Sequence, residues 1–375
     1  MKRNGVAFVP RLSSGSHSKT VLITGGAGFI GTNVAHHLLS TGNAVIIFDN
    51  LSRPGTADNL RWLRDEHGAR LEHVDADVRD AAVLRRAVAR VSRIYHFAAQ
   101  VAVTSSLIAP REDFEINAGG TLNLLEAIRT CDDPPVLLFT STNKVYGRCE
   151  DLALERCGER YQACDEALRR NGVDETRGLD FCSPYGCSKG AADQYVLDYA
   201  HTFGLPATVF RMSCIYGPHQ HGNEDQGWVA HFLRRALAGE SVTIYGDGCQ
   251  VRDILFADDL VRAMMLAHQH IERCAGQAFN IGGGPANTIS LLELLHQIRD
   301  LTGVRMEIEL RPWRAADQRF YVSDAGKFRA TTGWQPQIGI RQGIARLWAW
   351  LQTQTGSASL DAALPRAVAA SGPAL

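Results

Sequence analysis

The sequence predicts a doubly wound α/β fold, in which helices cover both faces of a mainly parallel sheet, joined to a smaller lobe of mixed α/β structure. Three observations lead to this prediction. Short apolar runs alternate with helical stretches, a glycine-rich loop follows the first run directly, and smaller strand and helix units follow residue 204. Strands that alternate with helices are typical of a parallel sheet. The 375 residues are enough for two or three domains, at about 150 residues each.

The predicted elements divide the chain into four parts. Strands of a first domain are predicted at 21–23, 44–48, 94–97 and 136–139. A strand at 206–212 continues the same sheet, and smaller strands at 241–245, 278–281 and 305–310 are assigned to the second lobe. We expect a flexible leader at 1–18, a first domain at 19–204, a lobe mainly for substrate at 213–354 with crossing segments, and a flexible tail at 355–375.

The composition indicates a globular protein whose partners are neither nucleic acid nor membrane. The chain is 45% hydrophobic and 21% charged, and 39 basic against 40 acidic residues give a net charge of −1. This excludes a mainly disordered chain and argues against nucleic acid as a partner. No apolar run approaches the roughly 20 residues that cross a bilayer, and no secretory signal is recognisable. Nine scattered cysteines without a CxxC pair predict free thiols and a cytoplasmic location.

The loop after the first strand has the features of a dinucleotide-binding turn. Gly25 permits a tight turn, Gly28 lets the backbone approach a pyrophosphate, and Gly31 allows the following helix to pack closely on the strand. Phe29 and Ile30 begin that helix, whose N-terminus would face the phosphates. Because glycines also form ordinary turns, the loop alone is a weak signal.

An acidic residue at the end of the second strand strengthens this interpretation. Asp49 lies near the spacing of about twenty residues at which a carboxylate accepts hydrogen bonds from the adenosine ribose. The carboxylate would repel the extra phosphate of NADP, so a Rossmann-type domain that binds NAD is predicted. Arg53 could weaken that preference, although a solvated loop arginine is the simpler interpretation. Further cofactor contacts are predicted, with adenine near the first two, from Asp77, Val78, Ala98, Ala99 and Gln100.

Tyr185 and Lys189 form a candidate catalytic pair. Their spacing of four places both side chains on one face of the helix that the Ala-rich run 190–200 predicts. A cation about 4 Å from a phenol is worth roughly 4 kcal/mol at an effective dielectric constant of about 20, or about three pKa units. We therefore expect Lys189 to hold the pKa of Tyr185 near neutrality, so that the phenol can act as a base. A surface Tyr/Lys pair is the structural alternative.

Together with the segment Thr-Ser-Thr-Asn-Lys-Val-Tyr-Gly at 140–147, these motifs resemble an extended short-chain dehydrogenase/reductase of the nucleotide-sugar epimerase and dehydratase type. The resemblance covers residues 20 to about 350. It implies that Thr142 helps to hold the substrate hydroxyl, and that Asn50, Ser52, Arg53 and Asn117 contact the cofactor. A homodimer or homotetramer is expected by the same analogy, with helices around 119–128 and 188–201 at the subunit contact.

The two residues after Thr142 distinguish branches of this family. Dehydratases carry an Asp-Glu pair there and the decarboxylating branch a glutamate, whereas this chain has Asn143 and Lys144. The segment 141–147 is similar instead to the branch that inverts C2 of CDP-linked deoxyhexoses. Other matching stretches are 49–53, 114–125, 183–199, 225–228 and 317–319. An NAD-dependent 4-epimerase of a UDP- or other nucleotide sugar is the alternative, and a dinucleotide-binding regulator without turnover is a third hypothesis.

The resemblance implies an isomerase of carbohydrate biosynthesis with tightly bound NAD. Since a hydrogen at C2 of a sugar is not acidic, we expect transient oxidation to a 2-keto sugar, with Tyr185 as base and Lys189 on the nicotinamide ribose. Substrate contacts are predicted from Thr142, Asn143, Lys144, Gln226, Trp228, Arg252, Arg314 and Arg319. The arginines suit a diphosphate. The histidine pairs 219/221 and 268/270 lack further ligands nearby in sequence, so no metal is predicted.

Overall fold

The computed structural model describes residues 20–314 and 317–361, and the predicted leader at 1–18 lies outside these ranges. A parallel sheet of seven strands forms the centre of the fold, with strand order β12-β8-β5-β4-β1-β2-β3. This confirms the predicted fold class. Its strands, in chain order, are β1 (Thr20–Thr24), β2 (Ala44–Phe48), β3 (Leu71–Val74), β4 (Arg93–His96), β5 (Val136–Thr142), β8 (Ala207–Met212) and β12 (Ala278–Ile281).

Two layers of helices cover the sheet because successive strand residues point to opposite faces. Val21 and Ile23 face a core formed with α1, α2 and α10, whereas Leu22 faces a core formed with α3, α6 and α8. The helices of the chain are α1 (Phe29–Ser40), α2 (Thr56–His67), α3 (Ala81–Val88), α4 (Val103–Ile108), α5 (Pro110–Phe114), α6 (Gly120–Arg129), α7 (Glu166–Asn171), α8 (Ser183–Phe203), α9 (Trp228–Ala238), α10 (Ala257–Gln269), α11 (Ile271–Cys274), α12 (Leu291–Thr302), α13 (Gly326–Thr332) and α14 (Ile340–Asp361).

The smaller lobe is built from short sheets, and helices α9, α12 and α14 share its core. A parallel pair joins β10 and β14, a mixed sheet joins β9, β11, β13 and β15, and β6 and β7 form an antiparallel hairpin. The strands are β6 (Leu154–Cys157), β7 (Arg160–Ala163), β9 (Cys214–Tyr216), β10 (Val242–Tyr245), β11 (Val251–Phe256), β13 (Thr288–Ser290), β14 (Ile308–Arg311) and β15 (Phe320–Tyr321).

The run 278–281, predicted as a strand of the second lobe, instead forms the edge strand β12 of the main sheet. It pairs in parallel with β8, with Phe279 opposite Phe210, and all four of its residues are buried. The prediction was wrong in placement because a local pattern identifies a strand but does not say which strand it pairs with across the intervening residues 213–277. The chain therefore leaves the first domain after β8 and returns to it.

The ends of several predicted elements also differ from the structure, most of them by one to three residues. Strand β14 begins at Ile308, later than the predicted 305. Helix α14 continues to Asp361, into the segment 355–375 that we predicted as a flexible tail, while residues 362–375 lie outside the described part of the chain. The helical backbone at 355–361 extends an amphipathic helix whose Ile344, Leu347 and Leu351 are buried in the lobe core, and the Ala/Ser-rich continuation does not interrupt it.

Parallel pairing places the carboxyl ends of β1, β2, β4, β5 and β8 at one edge of the sheet. The glycine loop follows β1, Asp49 follows β2, and Thr142 is the last residue of β5. In an open α/β sheet ligands bind at this edge, where the strand order reverses. Here the reversal lies between β1 and β4, directly beside the glycine loop.

Candidate active site

The glycine loop is a tight cradle between β1 and α1. Gly25 has φ +66°, and a Cβ added there would lie 2.6 Å from the backbone nitrogen of Ala98. A Cβ on Gly31 would lie 2.6 Å from Cα of Gly26, so only glycine lets α1 approach the strand this closely. Helix α1 begins at Phe29, and the first amides of a helix lack partners within it. The loop therefore fits a pyrophosphate at the N-terminus of α1.

Asp49 is buried beside this cradle. Its carboxylate accepts hydrogen bonds from the backbone amides of Ala27 at 3.0 Å and Leu51 at 2.9 Å. Burial raises the pKa of Asp49, while these two amides and the nearby charge of His73 and Arg53 lower it. The carboxylate thus fixes the glycine loop against the end of β2, near the place where an adenosine ribose is predicted.

The neighbouring loops at this edge are held by side chains. The side-chain amide of Asn50 donates to the Asp77 carboxylate at 3.0 Å, and Asp77 also forms an ion pair with Arg79 at 2.8 Å. The backbone amide of Ser52 donates to the side-chain oxygen of Asn50 at 3.2 Å. Val78 is 4% exposed and packs against Gly120, so only its backbone is available to a ligand. The predicted cofactor residues of β2 and β3 are therefore brought together.

Asn117 connects the loop after β4 with the catalytic helix. It lies in a π-helical turn (Glu115–Gly119), and such turns are frequent at functional sites. Its side chain accepts from the Gln100 amide at 2.9 Å and donates to the Gln100 carbonyl at 3.0 Å and to the Ser188 hydroxyl at 3.0 Å. Asn117 therefore holds the segment with Ala98, Ala99 and Gln100 in place next to α8.

Thr142, Tyr185 and Lys189 come together at the ends of β5 and α8. The Tyr185 phenol is buried, and the Thr142 side chain is near enough to lower its pKa. The Lys189 ammonium donates to the carbonyl of Thr140 at 2.6 Å and lies 4.2 Å from the centre of the Phe139 ring. The side chains of Tyr185 and Lys189 thus lie at the carboxyl edge of the sheet, the same edge as the glycine cradle.

The prediction that Lys189 holds the Tyr185 pKa near neutrality is wrong for this structure. Burial raises the pKa of Tyr185 to about 12, with Asp113 adding to the effect, while Thr142 and Arg53 lower the pKa. Burial also lowers the pKa of Lys189 to about 7. Our estimate considered the attraction between the two groups and neglected desolvation, which opposes both charged forms. The ammonium is also directed to a backbone carbonyl and an aromatic ring instead of the phenol.

Sequence reasoning missed two buried groups behind this pair. The Asp113 carboxylate accepts a short hydrogen bond from the Ser188 hydroxyl and another from Asn117 at 3.3 Å. His96 lies between the hydroxyls of Thr24, at 2.6 Å, and Thr121, at 3.0 Å. Asp113 precedes Asn117 by one helical turn, and His96 ends a buried strand, but neither spacing matches a motif that carries chemistry. Only the tertiary structure brings them to the site.

The buried His96 imidazole should lower the free energy of unfolding in acid. Burial and the neighbouring Lys189 lower its pKa to about 3, so between pH 6.5 and 3 the unfolded chain binds more protons at this residue than the folded chain does. The free energy of unfolding therefore falls as the pH is lowered through this window, by about 2 kcal/mol at pH 5 from this group. In urea titrations at pH 7 and pH 5, His96→Gln should lose less stability between the two values than the unmodified protein. An equal loss would contradict this.

The predicted substrate residues after Thr142 meet the smaller lobe. Asn143 is buried, and the Lys144 ammonium donates to the Gln318 side chain at 3.2 Å. Burial and the Arg252 charge lower the pKa of Lys144. Arg252 is itself buried and forms an ion pair with Asp317 at 2.8 Å. Two cations and a carboxylate therefore line the junction of the lobes. Neither Asp317 nor Gln318 was predicted as a contact, although the stretch 317–319 was among the matching segments.

The other predicted substrate residues surround the turn before α9. Arg314 donates to the Glu224 carbonyl at 2.8 Å and lies 3.7 Å from the centre of the Tyr245 ring. Gln226 accepts a hydrogen bond from Arg53 at 2.6 Å. Trp228 begins α9 and packs against Phe232, and Arg319 lies 5.7 Å from the Tyr161 ring and 5.5 Å from the Trp313 ring. Arg314 and Gln226 therefore meet at this turn, whereas Lys144 and Arg252 contact Gln318 and Asp317.

Within residues 20–314 and 317–361, the structure contains no cluster of three or more His, Cys, Asp or Glu side chains that could hold a metal ion. His219 instead packs between aromatic rings, 4.1 Å from Trp62 and 5.2 Å from Trp350. In those ranges, no helix has the length and apolar character needed to span a membrane.

Comparison with known proteins places this arrangement among nucleotide-sugar enzymes. A sequence profile described as GDP-mannose 4,6 dehydratase matches residues 22–347. The CDP-paratose 2-epimerase of Salmonella typhi is 43% identical over 337 residues, covering 88% of this chain and 98% of that protein. The UDP-glucose 4-epimerase of Thermotoga maritima, solved with UDP-glucose, has a TM-score of 0.77 and 30% identity and covers 90% of this chain and 99% of its own. That of Thermus thermophilus, solved with NAD, has a TM-score of 0.75 and 31% identity, with coverage of 89% and 99%.

The fold and the Thr142, Tyr185 and Lys189 arrangement define an extended short-chain dehydrogenase/reductase. The chain belongs to the GDP-mannose 4,6 dehydratase family of that class. The resemblance inferred from the sequence motifs is therefore confirmed.

Proposed function

We propose that the protein is an NAD-dependent nucleotide-sugar epimerase that inverts C2 of a CDP-linked deoxyhexose. The observation that carries this proposal is the buried Tyr185 phenol beside Thr142, which is followed in the chain by Asn143 and Lys144 and not by two acidic residues. A dehydratase needs a carboxyl group at those positions to move a proton during loss of water. The chain that carries this segment is 43% identical over 337 residues, 88% of its length, to a CDP-paratose 2-epimerase.

The residues of the glycine cradle and α8 are suited to hold NAD. Gly25, Gly28 and Gly31, with the first amides of α1 at Phe29 and Ile30, would bind the pyrophosphate, and Asp49 the adenosine ribose. Asn50, Ser52, Asp77, Val78, Ala98, Ala99, Gln100 and Asn117 complete the proposed cofactor site. When bound, NAD supplies the hydride acceptor and a positive charge on the nicotinamide ring. Lys189, buried at the edge of β5, is positioned to hold the nicotinamide ribose.

Tyr185 and Thr142 handle the substrate hydroxyl in this proposal. Thr142 orients the C2 hydroxyl, and Tyr185 removes its proton as C2 becomes a ketone. The 2-keto sugar then rotates, and Tyr185 returns the proton to the alcohol oxygen as the opposite face is reduced. Because the phenol pKa is about 12, a nearby positive charge must stabilise the phenolate for it to act as a base. No net oxidation takes place over the cycle.

The smaller lobe supplies the proposed grip on the nucleotide diphosphate. Arg252 is fixed by Asp317, and Lys144 by Gln318, so both cations are oriented before a ligand arrives. Preorganised charge-assisted hydrogen bonds favour a diphosphate. Gln226, Trp228, Arg314 and Arg319 are proposed to contact the remainder of the substrate. The sugar itself must be held loosely, since the keto intermediate has to turn over.

A C4 epimerase of a UDP-sugar is the second candidate. It is supported by similarity to the UDP-glucose 4-epimerases, which match at 33% identity or below over most of the chain. Such an enzyme would use the same Thr142, Tyr185 and Lys189 with a different placement of the sugar. The lower identity and the Asn143-Lys144 segment make this the less favoured function.

Product analysis separates the two candidates. The purified protein would be incubated with CDP-, UDP-, GDP- and dTDP-linked sugars, and the products identified by mass spectrometry and NMR. We expect a new C2 epimer, of unchanged mass, from a CDP-linked substrate such as CDP-paratose. A C4 epimer from a UDP-sugar alone would support the second candidate and contradict the first.

We also propose a homodimer or homotetramer and a cytoplasmic location. Helices α4 and α5 pack against α8 and leave large apolar side chains exposed beside it, among them Ile108 at 85% exposure, and also Leu107, Phe114, Tyr195 and Phe203. Large apolar side chains exposed on neighbouring helices favour a protein interface. Light scattering of Ile108→Asp tests the interface, because the variant should dissociate.

The cysteines support the proposed cytoplasmic location. All nine are free thiols, which is typical of a reducing compartment.

A further inference from the structure

The turn at residues 223–227, here called the clasp turn, crosses the cleft between the cofactor side and the smaller lobe. It is closed by its own hydrogen bonds, since the Asn223 amide donates to the Gln226 carbonyl at 2.9 Å and the Gln226 amide to the Asn223 side chain at 2.9 Å. Gly227 ends the turn with φ +75° and leads into α9. The backbone of the clasp turn therefore has a defined shape, and its side chains project from a fixed base.

Two arginines from different parts of the fold hold the clasp turn. Arg53, in the loop after β2, donates from Nη2 to the Gln226 side-chain oxygen at 2.6 Å. Arg314, in the smaller lobe, donates to the Glu224 carbonyl at 2.8 Å and forms an ion pair with Asp225 at 3.3 Å. The contacts of Arg314 join two segments of the same lobe. The contact of Arg53 joins the cofactor loop to the smaller lobe, so it spans the cleft.

Arg53 lies near both the candidate catalytic residues and the proposed adenosine-ribose site. The guanidinium interacts electrostatically with both Tyr185 and Asp49, which stand at opposite ends of the proposed cofactor path, one at the reacting centre and one at the adenosine ribose. The Arg53–Gln226 hydrogen bond therefore lies in the part of the cleft that is near both groups. A solvated loop arginine, our simpler interpretation from sequence, would contact neither Gln226 nor the region around Tyr185.

We propose that Arg53 and Gln226 are positioning residues that close the cleft over the cofactor and the oxidised sugar during turnover. This inference rests on the proposed function. An epimerase that passes through a keto sugar must let the sugar rotate and still prevent it from leaving. A hydrogen bond across the cleft leaves the sugar free to rotate and opposes its release. Because Arg314 fixes the other side of the clasp turn, the Arg53–Gln226 hydrogen bond couples substrate bound in the smaller lobe to the cofactor loop.

The first test measures release of NAD and needs no turnover. The holoenzyme would be mixed with excess etheno-NAD, and the release rate followed by fluorescence for Arg53→Ala, Gln226→Ala and the double variant. Each single variant should release NAD roughly tenfold faster, as expected for loss of a hydrogen bond to a charged group. The double variant should be no faster than either single variant. Gln226→Glu, which makes the contact an ion pair, should slow release in the unmodified chain and not in the Arg53→Ala background.

Arg61→Ala is the matched control, because Arg61 lies in α2 just after the same loop and forms an exposed ion pair with Asp58. Its release rate should equal that of the unmodified protein. The proposal is overturned if Arg53→Ala and Gln226→Ala change release by less than twofold, or if their effects multiply in the double variant, since independent effects exclude a shared contact.

The second test measures escape of the intermediate. With CDP-paratose, Arg53→Ala and Gln226→Ala should accumulate enzyme in the reduced form, seen at 340 nm, together with free CDP-linked keto sugar detected by mass spectrometry. A merely structural defect would lower kcat without releasing keto sugar, and that result would overturn the proposal. If the unmodified protein inverts no CDP-sugar at C2, the proposed function fails, whereas the NAD-release experiment still decides whether the contact closes the cleft.

Discussion

Tyr185→Phe is expected to lower the rate of C2 inversion by about 10³-fold or more while NAD remains bound. The substitution removes the hydroxyl that exchanges a proton with the substrate, and the buried ring can stay in place because Phe has nearly the same volume. The glycine cradle, Asp49 and Lys189 are unchanged, so the cofactor should be retained. The measurement is kcat with CDP-paratose, together with NAD content after denaturation of the purified variant.

Tyr195→Phe provides the control for this substitution. Tyr195 lies on the same helix, α8, with an exposed ring, and its loss of a hydroxyl should leave the inversion rate within twofold. If Tyr185→Phe retained more than about a tenth of the activity, the phenol would not be the proton-transfer group. Loss of NAD from Tyr185→Phe would instead point to a defect in the cofactor site.

Asp193→Ala is expected to destabilise the fold by about 3–5 kcal/mol, because it leaves a buried charge without its partner. Asp193 is fully buried on α8, and both its oxygens accept from Arg211 of β8 at 2.9 Å. Arg211 also donates to the Tyr146 hydroxyl at 3.2 Å. The pair fixes α8 to the sheet one turn after Lys189. Urea unfolding at pH 7, with NAD at a fixed concentration, measures the effect.

The exposed pair of Asp58 and Arg61 is the reference for this measurement, with both side chains more than half exposed. Asp58→Ala should cost less than about 1 kcal/mol. If Asp193→Ala does not fold, Asp193→Asn gives the comparison, because it keeps the shape and loses the charge. A cost for either Asp193 variant no larger than that of Asp58→Ala would show that the buried pair contributes little.

Local sequence signals predicted the features of this protein that depend on neighbouring residues. The strands 44–48 and 278–281 were predicted with the bounds that the structure has, because each is a short buried apolar run. The glycine loop, the helix with Tyr185 and Lys189, and the end of β5 at Thr142 also follow from residue types at fixed spacing. Parallel topology then brings these segments to one edge without further information.

Features that depend on distant contacts were not predictable in the same way. The placement of β12 in the main sheet follows from its pairing with β8, which no local pattern encodes. The pKa of Tyr185 was predicted in the wrong direction, since burial depends on how the surrounding elements pack. Asp113 and His96 carry no motif, and the contact of Arg53 with Gln226 joins residues 173 positions apart. Each of these is a property of the folded chain.

The central claim is that C2 of the sugar gives up a hydride to a bound cofactor and receives the same hydride on its other face. The direct test is turnover of a CDP-sugar carrying deuterium at C2, with a parallel reaction of unlabelled substrate in D₂O. The proposal predicts that the C2 epimer retains the label and takes up no deuterium from solvent. Exchange of the C2 label with solvent, or inversion at C4 with C2 unchanged, would contradict it.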